Sequence, residues 1–170
     1  MESVLGSASI ERVGWLGFPS SVLKRSDDDE DSEVLARLGR DGWFRVFFGR
    51  GRLVELPDGS PWRIRSGGIG GQLVPVVTCP TGQLAVGSSV GDRAYGINGR
   101  DYAFRFFATR NKGFDRSPWL LTEHDRELAT FTRTSVHADH LVPLAAVLLC
   151  FTLIKYGVPG EQRLVPEFTW

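Results

Sequence analysis

The most constraining feature of this sequence is an almost wholly apolar segment near its C-terminus. Residues 141–154 read LVPLAAVLLCFTLI, in which Thr152 carries the only polar side chain. Lys155, Gly157 and Pro159 follow, and this order is typical of a helix end, because a cation suits the negative pole of the helix and glycine suits the C-cap. The segment predicts a helix over about residues 140–156, with Pro143 in its first turn and either Asp139 or His140 as its N-cap.

A helix that is apolar on every face has to be surrounded by apolar material. A surface helix would show one polar face, and leaving each large apolar side chain in water would forfeit about 1.5–3 kcal/mol. The sequence therefore predicts a sheet wrapped around this helix. Two alternatives stay open: a membrane span, although the segment is shorter than the roughly 20 residues that a bilayer requires, and an interface between two copies of the chain.

Between residues 35 and 133, short alternating runs are separated by turn residues, which is the pattern of β-hairpins. The segment Trp62-Arg63-Ile64-Arg65 alternates strictly, and residues 43–48 also predict a strand. Asn98-Gly99 is the strongest turn signal, because a type I′ turn needs positive φ at both central residues. Further turns are predicted at the following positions: Pro57 to Ser60, Pro80 to Gly82, and His124-Asp125. The fold class predicted is mainly β, an antiparallel β-barrel of hairpins that encloses the C-terminal hydrophobic helix.

The charges are unevenly distributed, although the chain of 170 residues has a formal net charge of zero. Residues 1–33 carry three basic and eight acidic side chains, and residues 34–133 carry fifteen basic and nine acidic ones. We interpret residues 1–34 as an N-terminal arm with an acidic linker, which reads SDDDEDS at 26–32. Residues 35–170 are interpreted as the barrel domain. Within that domain, residues 163–170 predict an edge strand. If the acidic segment masks the basic barrel, deleting residues 1–33 should strengthen binding to polyanions.

The layout resembles the tubby C-terminal-like superfamily, which includes the LURF-one-related proteins and the phospholipid scramblases. The matching pieces are Trp62-Arg63-Ile64-Arg65, the turn and strand from Pro80 to Ala85, Tyr102 to Phe106, and the apolar segment 141–154. The resemblance covers roughly residues 35–156. It implies a soluble or membrane-associated β-barrel closed around a hydrophobic helix, and it does not imply catalysis. The scramblases in the same group suggest an alternative, a membrane-inserted scramblase-like protein.

A run of arginines supplies the candidate binding residues. Neighbouring strands could bring these side chains to one face, where they would attract an anionic lipid or another polyanion. The candidate residues are Arg45, Arg50, Arg52, Arg63 and Arg65, with Arg40 close by in the sequence. Outward arginines are also what any solvated strand would show. The partner expected is an anionic membrane surface or a protein, and nucleic acid is not expected because the chain has no net positive charge. A barrel filled by a helix leaves little room for a small-molecule ligand.

Other motifs could carry chemistry, but each has a structural interpretation. His137 and His140 would lie one turn apart on a helix and could bind a metal with His124, as in a metal-dependent enzyme, or they could form the loop before the helix. The glycine-rich residues 66–71 precede a strand rather than the helix that a phosphate-binding loop requires. Cys79 and Cys150 form no metal motif, and Cys150 should be inert inside the helix. We expect no cofactor and no catalysis. We also expect a cytoplasmic protein, at most peripheral to the membrane, because no signal-peptide pattern opens the chain.

Overall fold

The computed structural model describes residues 2–13, 20–26, 32–40, 42, 46–47, 49–69, 72–91, 94–110 and 118–158. Within them, twelve antiparallel strands form one closed barrel, as the sequence predicts. The strands are β1 (Ser3–Val13), β2 (Ser20–Arg25), β3 (Val34–Leu38), β4 (Arg52–Glu55), β5 (Pro61–Ile69), β6 (Gln72–Cys79), β7 (Gly82–Gly91), β8 (Ala94–Gly99), β9 (Arg105–Arg110), β10 (Trp119–Glu123), β11 (Arg126–Phe131) and β12 (Ser135–Pro143). Each strand pairs with its neighbour in sequence, and β1 pairs with β12 to close the barrel.

The barrel begins at Ser3, not near residue 35, so the interpretation of residues 1–34 as an arm is wrong. Strands β1 and β2 are integral to the closed sheet, and β1 runs antiparallel to β12 with Ala8 opposite Val136. The inner face of β1 carries the small Ala8 and the charged Arg12 beside Val4 and Ile10. These mixed side chains hide the period of two that marks an inward-facing strand.

Three of the predicted turns are confirmed. His124 and Asp125 have φ values of 47° and 63°, which is the left-handed pair that a tight hairpin between β10 and β11 needs. The turn after Leu56 is held by Asp58, whose carboxylate accepts a hydrogen bond from the Ser60 N–H at 2.8 Å. The third turn lies at Pro80 and Thr81, between β6 and β7.

The type I′ turn predicted at Asn98-Gly99 is wrong, because both residues lie in strand β8. The left-handed pair is instead Asp101 and Tyr102, with φ values of 52° and 57°. Gly99 is extended, and a Cβ atom at this position would lie 2.6 Å from the ring of Phe104. A glycine is therefore needed here for close approach and not for positive φ.

The central helix (Leu144–Tyr156) is enclosed by the strands, and every residue from Leu144 to Leu153 is buried. It begins later than predicted, and neither Asp139 nor His140 caps it, because both belong to β12. The N–H of Leu144 donates instead to the backbone carbonyl of Glu2 at 2.8 Å. The C-terminal prediction is confirmed: Lys155 lies in the last turn, and Gly157, with φ of 68°, donates its N–H to Leu153 O.

Aromatic and aliphatic side chains from the strands surround the helix. Phe131 of β11 meets Phe151 edge-on, with ring centroids 5.3 Å apart. The predicted strand at 43–48 is wrong where it can be assessed, because Val46 and Phe47 are helical and buried. Residues 43–45 and 48, and the edge strand predicted at 163–170, lie outside the described residues.

Candidate anion-binding surface

Three of the five predicted arginines lie close together on the outside of the barrel. Arg63 and Arg65 are exposed and alternate along β5 with the buried Trp62 and Ile64, because successive side chains of a strand point to opposite faces. The guanidinium of Arg63 donates through Nη1 to the backbone carbonyl of the exposed Arg50 at 3.3 Å. We call Arg50, Arg63 and Arg65 the outer arginine patch.

Gly51 holds the segment that carries Arg50 against β5. A Cβ atom on Gly51 would lie 2.7 Å from the backbone oxygen of Ile64 and 2.9 Å from Cβ of Arg65. Its φ of 82° is also a conformation that residues with a side chain rarely adopt. The glycine therefore allows the approach that brings Arg50 beside the two arginines of β5.

The outer arginine patch combines positive charge with an exposed apolar side chain. Leu53 of β4 lies opposite Arg63 in the strand register and is 42% exposed. Among the residues that the structure describes, no carboxylate forms an ion pair with Arg50, Arg63 or Arg65. Within the part of the chain that the structure describes, their positive charge is therefore exposed and is not neutralised by a carboxylate.

The other two predicted arginines do not join this patch. Arg52 shares the inner face of β4 with the buried Val54, and its register partner is the buried Ile64. Its Nε atom donates to the carbonyl of Gly39 at 3.0 Å, and its side chain lines a cavity at one end of the barrel. Arg45 lies outside the described residues. The sequence cluster is thus divided between the outer surface and the barrel interior.

The helical spacing proposed for His137 and His140 is wrong, because both residues lie on strand β12. His140 contacts the guanidinium of Arg126, with 3.0 Å between Nδ1 and Nη2, whereas His137 contacts Ser7. Across the described ranges, no group of three or more His, Cys, Asp or Glu residues is placed to hold a metal ion.

Ser7, His137 and Asp139 form a polar row across β1 and β12 that sequence reasoning missed. Ser7 Oγ lies 2.8 Å from Nδ1 of His137, and Nε2 of His137 lies 3.4 Å from Asp139 Oδ1. The side chains of His137 and Asp139 are 58% and 63% exposed, whereas an activated serine works in a site that excludes water. We interpret the row as a solvated cross-strand contact. Ser7 and His137 are 130 positions apart in the sequence, so only the pairing of β1 with β12 could reveal the row.

The two cysteines are free and occupy contrasting environments. Burial in the central helix raises the pKa of the Cys150 thiol, which fits its predicted inertness. Cys79 ends β6, where a hydrogen bond with the Thr81 hydroxyl, 3.0 Å away, is the main cause that lowers the pKa of its thiol. Residues 66–69 of the glycine-rich segment belong to β5, and Ile69 pairs with Gln72 of β6, as expected for a hairpin, whereas residues 70 and 71 lie outside the described residues.

No family model, curated protein or solved structure matches this chain. Within the described residues, no helix has both the length and the apolar character needed to cross a bilayer.

Proposed function

We propose that this protein is a non-catalytic binding module that docks onto an anionic membrane surface through the outer arginine patch. The observation that carries the proposal is the grouping of Arg63 and Arg65 of β5 with Arg50, which lies just before β4, beside the exposed Leu53 of β4. Arginine attracts lipid phosphates, and an exposed leucine can enter the boundary between headgroups and acyl chains.

The chemistry of the patch suits a peripheral contact. Each basic residue near an anionic leaflet contributes about 1 kcal/mol, so three arginines contribute roughly 3 kcal/mol at low ionic strength. Because anionic lipids concentrate in the cytoplasmic leaflet, the proposal places the protein in the cytoplasm at the membrane periphery. The resemblance to the tubby-like and LURF-one-related proteins is consistent with a binding role, and it remains a prediction.

Sedimentation with lipid vesicles tests this function. The full chain should bind vesicles that contain phosphatidylserine and should not bind vesicles of phosphatidylcholine alone. Raising the salt to about 1 M should abolish binding, because the screening length then falls to about 3 Å. The triple variant Arg50→Gln, Arg63→Gln, Arg65→Gln should lower the partition coefficient on the order of 100-fold.

A matched triple variant separates the patch from the total charge. Arg100→Gln, Arg105→Gln, Arg126→Gln removes the same charge from exposed residues elsewhere on the barrel and should retain binding close to that of the wild type. An equal loss of vesicle binding in both triple variants would show that total charge, and not the outer arginine patch, determines binding. If phosphatidylserine vesicles do not bind the chain even at low salt, the membrane proposal is wrong and a protein becomes the partner to seek.

A further inference from the structure

A cleft of about 640 Å³ lies on the outer face of the barrel, across strands β7 to β10, and we call it the outer cleft. Its volume is within the range of about 300–1,000 Å³ that is usual for small-ligand pockets. The central helix does not fill it, because it lies outside the barrel. Two apolar side chains line it, Val90 of β7 and Phe107 of β9, which are 51% and 47% exposed.

Gly96 of β8 leaves the sheet beside Phe107 uncovered. In the strand register Phe107 lies opposite Gly96, where a larger residue would place a side chain next to the ring. A Cβ atom on Gly96 would lie 3.1 Å from Cγ1 of Val90 and 3.3 Å from Oγ of Ser88. Val90 thus approaches the glycine from β7, and Phe107 lies beside it on β9. Between these two apolar side chains the outer cleft has a flat strip of backbone.

Polar side chains line the rest of the outer cleft. Asn98 of β8 and Thr109 of β9 point outward, because alternate residues of a strand share a face. His124 and Asp125 come from the left-handed turn between β10 and β11. In the described part of the chain, none of these four side chains has a hydrogen-bond or ion-pair partner. Their donors and acceptors are therefore available to a ligand.

The charges of the outer cleft balance. Arg105 and Asp125 contribute one charge of each sign, and no other described residue that lines the cleft is Lys, Arg, Asp or Glu. Arg105 also has a partner, because its guanidinium carbon lies 4.8 Å from the ring centroid of Tyr102. A surface without net charge does not concentrate phosphates or cations. The outer cleft therefore favours a ligand that is polar but uncharged and that also has an apolar face.

We infer that the outer cleft binds a saccharide, with a hexopyranose ring packed against Phe107. A pyranose ring is uncharged and carries C–H groups on its faces and hydroxyls around its edge. The C–H groups pack favourably on the negative face of an aromatic ring. The amide of Asn98 and the carboxylate of Asp125 can each engage two neighbouring hydroxyls. Glucose, whose ring hydroxyls are all equatorial, offers the broadest C–H faces. The sugar can be a free saccharide or the headgroup of a glycolipid.

The outer cleft shares no residue with the outer arginine patch. Saccharide binding is therefore a second activity beyond the proposed membrane contact. Either one can fail experimentally while the other stands, because the variants that test them have no residue in common.

Titration of the isotopically labelled full chain with methyl β-glucopyranoside, followed by NMR, tests the inference. The amide signals of Gly96, Asn98 and Thr109 should shift saturably. Sorbitol is the matched control, because it has the same kind of hydroxyls but no ring face, and it should cause no saturable shift. This result does not depend on any variant folding correctly.

Changing Phe107 tests the packing of the sugar ring. Phe107→Ala should weaken binding about tenfold or more, whereas Phe107→Trp keeps an aromatic face and should retain binding. Leu5→Ala is the control, because Leu5 of β1 is 48% exposed, almost the same as Phe107, and does not line the outer cleft. It should bind like the wild type.

Asn98→Asp tests the amide separately from the fold. The variant removes both N–H donors and should weaken binding about tenfold. Position 98 lies opposite Arg105 in the strand register, so the new carboxylate faces a cation and the fold is not disturbed. Urea unfolding should therefore show a stability equal to or above that of the wild type.

Sedimentation with phosphatidylcholine vesicles that carry glucosylceramide separates the two sources of the sugar. Binding to these vesicles without shifts from the soluble glycoside indicates a lipid headgroup, and shifts from the soluble glycoside indicate a free saccharide. Absence of saturable binding to both probes, or an equal loss in Phe107→Ala and Leu5→Ala, overturns the inference.

Discussion

At the scale of single residues, two glycines determine how closely neighbouring segments approach. Gly99 leaves space for the ring of Phe104, which would lie 2.6 Å from a Cβ atom. Gly51 adds a second requirement, because its φ is positive and its missing Cβ would meet the Ile64 carbonyl at 2.7 Å. Gly51 lies between Arg50 and Arg52. The side chain of Arg50 is therefore on the outer surface and that of Arg52 on the inner face, on either side of this glycine.

Replacing Gly51 with alanine should destabilise the barrel by about 2 kcal/mol or more, because left-handed strain and a clash with backbone act together. Gly59 is the matched control, since its φ of 83° is nearly the same but no atom lies within 4 Å of the point that a Cβ atom would occupy. Gly59→Ala should therefore cost only the strain, about 1 kcal/mol. Urea unfolding of both variants measures the difference, and equal losses would exclude a clash at Gly51.

The outer arginines could be predicted from the sequence, and the lining of the cavity that Arg52 enters at the end of the barrel could not. The strict alternation of Trp62, Arg63, Ile64 and Arg65 settles which side chains face outward, because a strand has a period of two. Arg12 and Arg133, in contrast, both line this cavity only because β1 pairs with β12. A period in the local sequence contains no information about which distant strand closes a barrel.

At the scale of elements, the central helix provides the core that the strands enclose. Its existence and its end at Gly157 could be predicted, because apolar length and a glycine cap are local signals. Its start differs from the prediction because β12 leads into it without a side-chain cap. The alternation of buried Val136 and Ala138 with exposed His137 and Asp139 is the signal for a strand.

Shortening a helix side chain should be far more costly than shortening an exposed one nearby. Leu149→Ala leaves a cavity at a position with no exposure and should lower the free energy of unfolding by about 2–5 kcal/mol. Leu141→Ala removes the same atoms from a side chain that is 68% exposed and should change it by no more than about 0.5 kcal/mol. Urea unfolding curves measure both. Similar losses would mean that the helix is not packed inside the barrel.

At the scale of the whole molecule, the acidic segment cannot be removed with the N-terminal residues without opening the closed barrel. The acidic segment at 27–31 lies in sequence between β2 and β3, not ahead of the barrel. Deleting residues 1–33 would therefore remove two strands and expose the edges of β3 and β12, which tend to pair with other chains. The deletion cannot report on masking of the basic surface, and neutralising substitutions are needed instead.

Neutralising the acidic segment should strengthen binding to phosphatidylserine vesicles, because it removes repulsion between the protein and the anionic surface. The variant changes Asp27, Asp28, Asp29 and Asp31 to Asn and Glu30 to Gln. We expect a gain on the order of tenfold in the partition coefficient at low salt. The gain should vanish at about 1 M salt, where charges are screened. An unchanged or weaker partition at low salt would show that the segment does not oppose binding.

The pairing of β1 with β12 also fixes the order in which the molecule can assemble. Strand β1 precedes every other strand of the barrel in the chain, but its partner at Ser135–Pro143 and the central helix follow all of the other strands. Until the helix has been synthesised, the apolar inner faces of the preceding strands therefore have no core to pack against. Contacts that span nearly the whole chain make such a fold slow to form, on the order of milliseconds to seconds for β-barrels. We therefore expect the pairing of β1 with β12 to be among the last steps of folding, because it joins the two strands of the barrel that lie farthest apart in the sequence.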